Sequence, residues 1–177
     1  MVSFRALARS DFPLLRRWLC EPHVDEWWHE PLDLTGLEKK YGPRVDGVEP
    51  THVFIIQHEK RPIGWIQWYR WADYPDHAGQ LAAEAGAAGM DLSIGEMSFI
   101  GIGIGPTVIR KFAREVIFTQ PGVTAIVTDP EERNGRSRRA FEKAGFIAMT
   151  TVQLRGEAAR RQIMQLPAIA AARASRP

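Results

Sequence analysis

The stretch Ser98-Phe-Ile-Gly-Ile-Gly-Ile-Gly-Pro-Thr107 constrains this chain more than any other. Gly101, Gly103 and Gly105 alternate with Ile100, Ile102 and Ile104, and glycines so spaced let main-chain N–H groups close on an anion without side-chain obstruction. Pro106 suits a first helical position, where its missing N–H would have had no intrahelical partner. A helix is therefore expected from Pro106 to Phe118, with its partial positive end directed at the same spot. A strand, a glycine turn and a helix in that order suit a pyrophosphate. The alternative is a tight strand-to-helix connection with no ligand. The pattern is not GxGxxG, and it lacks the Gly-Lys-Ser/Thr end of a nucleotide-triphosphate loop.

Around this turn the chain alternates in texture. Residues 2–7 read as a strand, Ser10 as the N-cap of a helix through Leu19, and 22–28 and 33–46 as two more helices. His52–Glu59 and Ile63–Trp71 form a hairpin about a Lys60-Arg61-Pro62 turn. Residues 72–89, rich in Asp, Gly and Ala, read as a long loop, and Met90–Met97 as a strand. Downstream come a strand at Ala125–Thr128, a helix at Asn134–Ala144 stopped by Gly145, and an antiparallel pair at Phe146–Leu154 and Arg161–Leu166. That order predicts one α/β domain over 1–167, a mixed and mostly antiparallel sheet with helices on both faces, and a frayed tail at 168–177.

Composition narrows the partners. A net charge of +2 gives no general polyanion-binding surface, so no nucleic-acid partner is expected. The N-terminal MVSFRALARSDF has no apolar signal run, and no window approaches the ~18 apolar residues of a membrane span. Cys20 is the only cysteine, which rules out an intrachain disulfide, and its apolar helical context reads as a buried thiol. These features point to the cytoplasm. The 5 histidines show no metal-ligand spacing and no HExxH occurs, so no metal is expected.

A second motif follows the first at about 30 residues: Thr128-Asp-Pro-Glu-Glu-Arg-Asn-Gly-Arg-Ser-Arg-Arg-Ala-Phe-Glu-Lys-Ala-Gly-Phe146. Arg133, Arg136, Arg138 and Arg139 could neutralise phosphates, or could simply form a solvated helix face. The glycine turn followed by Asn134 and the Glu142-Lys143-Ala144-Gly145-Phe146 segment resembles the GCN5-related N-acetyltransferases. Glu26-Trp27-Trp28, Pro62-Ile-Gly64, Gln67, Tyr69, Asp91 and Thr128-Asp129-Pro130 extend the resemblance to the aminoglycoside 6′-N-acetyltransferases.

The resemblance implies acetyl-CoA as cofactor, with its pyrophosphate on the turn from Ile100 to Pro106 and its pantetheine arm beside Asn134, Arg139 and Phe141. Two positions depart from the family pattern. Ile100 stands where Arg or Gln is usual, which a main-chain pyrophosphate site tolerates. Phe141 stands where many members carry a tyrosine that protonates the leaving thiolate. Water, an unassisted thiolate or Tyr69 would then take that role.

On the acceptor side, an amine must be neutral to attack a thioester, so a base or a water chain must take its proton. The resemblance places Asp91 beside the reactive amine as the catalytic carboxylate, and Asp76 and Asp129 as further substrate-binding acids. Taken by themselves, Asp91 and Asp129 could equally serve turn or N-cap roles. Carboxylates in a cleft suit a polycationic amine, with flat walls from Trp27 or Trp28, Tyr41, Trp68 and Tyr69; Gln67 and Tyr69 share a sheet face. The 6′-amine of an aminoglycoside leads. A siderophore hydroxylamine, a polyamine, a protein N-terminus and a non-catalytic acetyl-CoA sensor are the alternatives. Nothing fixes the oligomeric state.

Overall fold

In a computed structural model, residues 1–30 and 33–168 are described. The expected tail lies almost wholly outside them. The strands are β1 (Val2–Ala6), β2 (His52–His58), β3 (Arg61–Arg70), β4 (Ala87–Ile94), β5 (Ala125–Thr128), β6 (Ile147–Gln153) and β7 (Arg160–Pro167). The helices are α1 (Phe12–Leu19), α2 (Pro22–Trp28), α3 (Leu34–Val45), α4 (Pro75–Leu81), α5 (Ile104–Phe112) and α6 (Gly135–Ala144). The strands form a mixed, mostly antiparallel sheet in the order β1-β2-β3-β4-β5-β7-β6, in which β4 and β5 run parallel. No helix among the described residues is long and apolar enough to cross a membrane.

The chain divides into two compact units, Met1–Trp68 with Asp91–Ile102, and Tyr69–Met90 with Gly103–Pro177. In the first, Phe12, Leu15, Trp18 and Leu19 turn one stripe of α1 inward, the spacing of an amphipathic helix. They pack with Val24, Leu37 and Tyr41 against Val53, Ile55 and Trp65 of the sheet. Cys20, one residue beyond the stripe, is exposed, so the expectation of a buried thiol is overturned: the helix ends at Leu19 and turns the next side chain outward. Ser10 is not the N-cap either. It lies inside a 3₁₀ turn, Arg9–Asp11, and Asp11 organises the helix start. Its carboxylate accepts the Ala8 N–H at 2.9 Å and a forked pair of Arg5 hydrogen bonds at 2.6 and 2.7 Å. The β2–β3 turn falls on Glu59 and Lys60, both with positive φ, one residue earlier than expected.

In the second unit the expected loop at 72–89 is mostly ordered structure. A 3₁₀ turn (Trp71–Asp73) leads into α4, which Pro75 opens and Ala82, in the left-handed region, closes. Its Ala78 and Leu81 bury against Trp71, Ala87, Val127, Leu154 and Ile163. β4 begins at Ala87 rather than Met90 and ends at Ile94 rather than Met97, which lies in a further 3₁₀ turn. α5 starts at Ile104, so Pro106 is its third residue and not its first. No hydrogen bond is lost, because the first four N–H groups of a helix have no intrahelical acceptor. Ile104, Val108, Ile109 and Phe112 face inward, and the helix runs on into a π turn, Ala113–Ile117.

Candidate active site

The glycine turn has the backbone that an anion needs. Gly101 and Gly103 hold φ at +81° and +84°, a region where a side chain is strained, and a Cβ built on either would meet nothing within 4 Å. Gly101, Ile102 and Gly103 are exposed, so the space beyond this main chain is open to an incoming group. Gly103 is the N-cap of α5, which aims unpaired N–H groups past it. Gly105 differs. It lies inside α5, and a Cβ there would touch the Ala140 methyl of α6 at an ordinary 3.6 Å.

Asn134 caps α6: its Oδ1 accepts the Ser137 N–H at 3.0 Å. Phe141 is buried, with its ring edge-on to Phe146 at 4.9 Å, so it anchors α6 to the core. The arginine cluster splits. Arg133 pairs with Glu131 at 2.8 Å, and Arg138 donates to the Glu132 carbonyl at 3.0 Å. Arg136 and Arg139 are exposed, and Arg139 folds back along α6 until its Nη1 would lie 3.2 Å from a Cβ on Gly135.

The candidate acceptor residues fall in both units. In the first, Gln67 is buried on β3 and its Nε2 donates to Asp91 Oδ2 on β4 at 3.0 Å. Its Oε1 accepts from Arg44 Nη1 at 3.1 Å, and Arg44 is held by Glu49 at 2.9 Å. Tyr41 is fully buried under the Arg44 guanidinium, 5.2 Å from its ring, and its hydroxyl has no hydrogen-bond partner among the described residues. Burial raises that phenol's pKa well above the ordinary value; the nearby Glu30, Asp91 and Glu49 raise it further and Arg44 opposes them. Trp28 packs on Trp65 at 5.1 Å and borders the core, while Trp27 is half-buried. Trp68 is buried and stacks on His52 at 4.7 Å.

In the second unit, Tyr69 packs edge-on against Trp71 at 4.9 Å and Tyr74 at 5.2 Å. Asp129, at the end of β5, is buried with Oδ2 at 3.2 Å from His77 Nε2, and the His77 ring leans on Trp71 at 5.1 Å. Asp76 is exposed in the first turn of α4. Sequence reasoning missed Arg44, Glu49 and His77. Arg44 lies one helical turn beyond Tyr41, which is a weak signal, and His77 has no metal-ligand spacing that would single it out. No cluster of His, Cys, Asp and Glu among the described residues could hold a metal.

Residues 8–154 match the model of the acetyltransferase (GNAT) domain. The chain belongs to this family. GNAT enzymes use acetyl-CoA as the acyl donor, and the open glycine turn at the start of α5 is compatible with its pyrophosphate. The chain is 32% identical over 154 residues to the aminoglycoside N(6′)-acetyltransferase type 1 of Klebsiella pneumoniae, covering 85% of this chain and 76% of that protein. The fold is similar to aminoglycoside acetyltransferase AAC(6′)-Ib in complex with coenzyme A, with a TM-score of 0.88, 30% identity and 98% of each chain covered. It is equally similar to that protein with coenzyme A and kanamycin, at a TM-score of 0.87, 31% identity and 98% coverage of each chain.

Proposed function

We propose that this acetyltransferase moves the acetyl group of acetyl-CoA onto a primary amine of a polycationic sugar, the 6′-amine of an aminoglycoside, and does so in the cytoplasm. Asp91, a half-buried carboxylate presented on β4 by a buried glutamine, is the observation that carries the reading. A carboxylate so held attracts an ammonium and fixes it, which is the larger share of its work. A carboxylate is a weak base toward an ammonium, so solvent assists the loss of the amine proton. The neutral nitrogen then adds to the thioester carbonyl and the C–N bond forms; the nitrogen gives its surplus proton to water, the C–S bond breaks, and the thiolate leaves. Phe141 has no proton to give, so the thiolate leaves unassisted or takes one from water.

Main-chain N–H groups from Gly101 to Gly105 would take the pyrophosphate. Pro106 contributes shape only, having no N–H. The exposed Arg136 and Arg139 remain available for phosphate, whereas Arg133 and Arg138 are engaged within the protein. Within the second unit, Asp76 and Asp129, the latter beside His77, are acidic groups of the kind a polycation attracts.

Asp91→Asn keeps the shape and removes the charge. With kanamycin as acceptor, kcat/KM should fall at least ~100-fold while coenzyme A binds as before. Wild-type turnover in this variant would return Asp91 to a structural role. Turnover of spermidine or a peptide amine, with none of kanamycin, would sink the aminoglycoside assignment.

A further inference from the structure

We propose that Arg44 and Glu49 are positioning residues for acetyl transfer: they clamp the Gln67 amide so that its NH₂ group faces Asp91. The proposal rests on the reading of Asp91 as the carboxylate that receives the amine. Arg44 stands in the last turn of α3, Glu49 just beyond it, Gln67 on β3 and Asp91 on β4. Glu49 Oε1 takes Arg44 Nε at 3.0 Å and Nη2 at 2.9 Å, Arg44 Nη1 reaches Gln67 Oε1 at 3.1 Å, and Gln67 Nε2 reaches Asp91 Oδ2 at 3.0 Å.

The chemistry of each group sets the direction of the chain. A guanidinium only donates, so the amide atom facing Arg44 must be oxygen, and an ionised carboxylate only accepts, so the atom facing Asp91 must be nitrogen. Gln67 is buried, and an amide oxygen deprived of Arg44 would have to move to find another donor. Tyr41's ring, beneath the guanidinium, fixes the plane of the clamp.

Charge gives Glu49 a separate task. Arg44 is a cation close to the carboxylate that would receive a cationic substrate, and uncompensated it would compete with the substrate ammonium. Glu49 neutralises it, so the Glu49–Arg44 pair adds no net positive charge beside the carboxylate. The two residues therefore fail differently. Loss of Arg44 disorders the carboxylate and lowers kcat, whereas loss of the Glu49 charge weakens substrate binding and raises KM.

The test is steady-state acetylation of kanamycin by the full chain, with melting temperatures and coenzyme A affinity recorded for each variant. Arg44→Met should lower kcat/KM about tenfold, mostly in kcat, Arg44→Lys should recover part of it, and Glu49→Gln should raise KM severalfold with kcat within about twofold. In an Asp91→Asn background Arg44→Met should change the residual rate by less than about twofold, because the residue it positions is gone. An undiminished effect of Arg44→Met in that background overturns the proposal while leaving the role of Asp91 intact. Wild-type turnover in Asp91→Asn overturns both. Should Arg44→Met fail to fold, Glu49→Gln decides: equal losses in kcat and KM, or none, reject the clamp.

Discussion

At the scale of single residues, the turn and α6 give opposite lessons. Gly103 has open space where a Cβ would go but a φ that strains any side chain, so Gly103→Ala should cost about 1–2 kcal/mol of stability and still fold. With the pyrophosphate on the turn as proposed, the added methyl stands in its path, and calorimetry should show coenzyme A binding weakened at least tenfold, on the order of one lost charge-assisted contact. Wild-type affinity would move the pyrophosphate elsewhere. Phe141 is the converse. Its ring is buried edge-on to Phe146, so it bears on stability as well as on the pantetheine arm proposed beside it. Phe141→Ala should therefore cost about 3–5 kcal/mol, visible as a large drop in melting temperature without added ligand. Gly101 and Gly103 were legible because the need for positive φ leaves few other choices. The Arg44–Gln67 contact was not, because it joins residues on separate elements and no local spacing encodes it.

Among the elements, those with a strong period or a strong stop were legible. α1 has its apolar stripe, α6 has Asn134 as cap and Gly145 as stop at φ +103°, and the β2–β3 pair has its β-branched runs. α4 was not legible. It spans Pro75–Leu81, and its inward face is one alanine and one leucine, too little apolar signal to stand out from an Ala- and Gly-rich loop. The start of β4 was hidden for the same reason: Ala87, Ala88 and Gly89 are small, buried, and look like linker. Gly89 is small because of Tyr69, whose ring carbons would lie 2.3 and 2.4 Å from a Cβ at that position. Gly89→Ala must therefore push the Tyr69 ring away from its place against Trp71 and Tyr74. If Tyr69 contacts the acceptor, this variant should raise KM for kanamycin severalfold while leaving coenzyme A affinity alone, which kinetics and calorimetry together would read. Unchanged KM would remove Tyr69 from the acceptor site.

Across the whole molecule, acid stability depends on carboxylates held ionised by arginine and tryptophan donors. Asp11 lies below its ordinary pKa chiefly through the Arg5 hydrogen bonds, and Glu96 chiefly through the Trp18 indole N–H and then Arg17. A carboxyl whose pKa is lowered on folding binds its proton more readily in the unfolded chain. Its stabilisation is complete above the unfolded pKa, near 4, and is lost as pH falls through the lower folded value. Denaturation midpoints should hold from pH 7 to 5 and fall steeply below 4. Asp11→Asn should cost about 2–3 kcal/mol at pH 7, and the gap from wild type should close as acid protonates Asp11 in both states. A constant gap down to pH 2 would deny the ion pair its role. The end of the sheet has a different consequence. β6 is the last strand in the order, and Ile147 and Met149 on it are 59% and 57% exposed. A flat strand of that composition is a template on which a neighbour's backbone can grow, the first step of fibre formation. The pairing of β6 with β7 slips between Ala148 and Thr151, next to these same side chains. Irregularities of this kind raise the local twist of a strand, which works against the flat plane an incoming strand requires, so a sheet can carry a greasy margin with less tendency to grow.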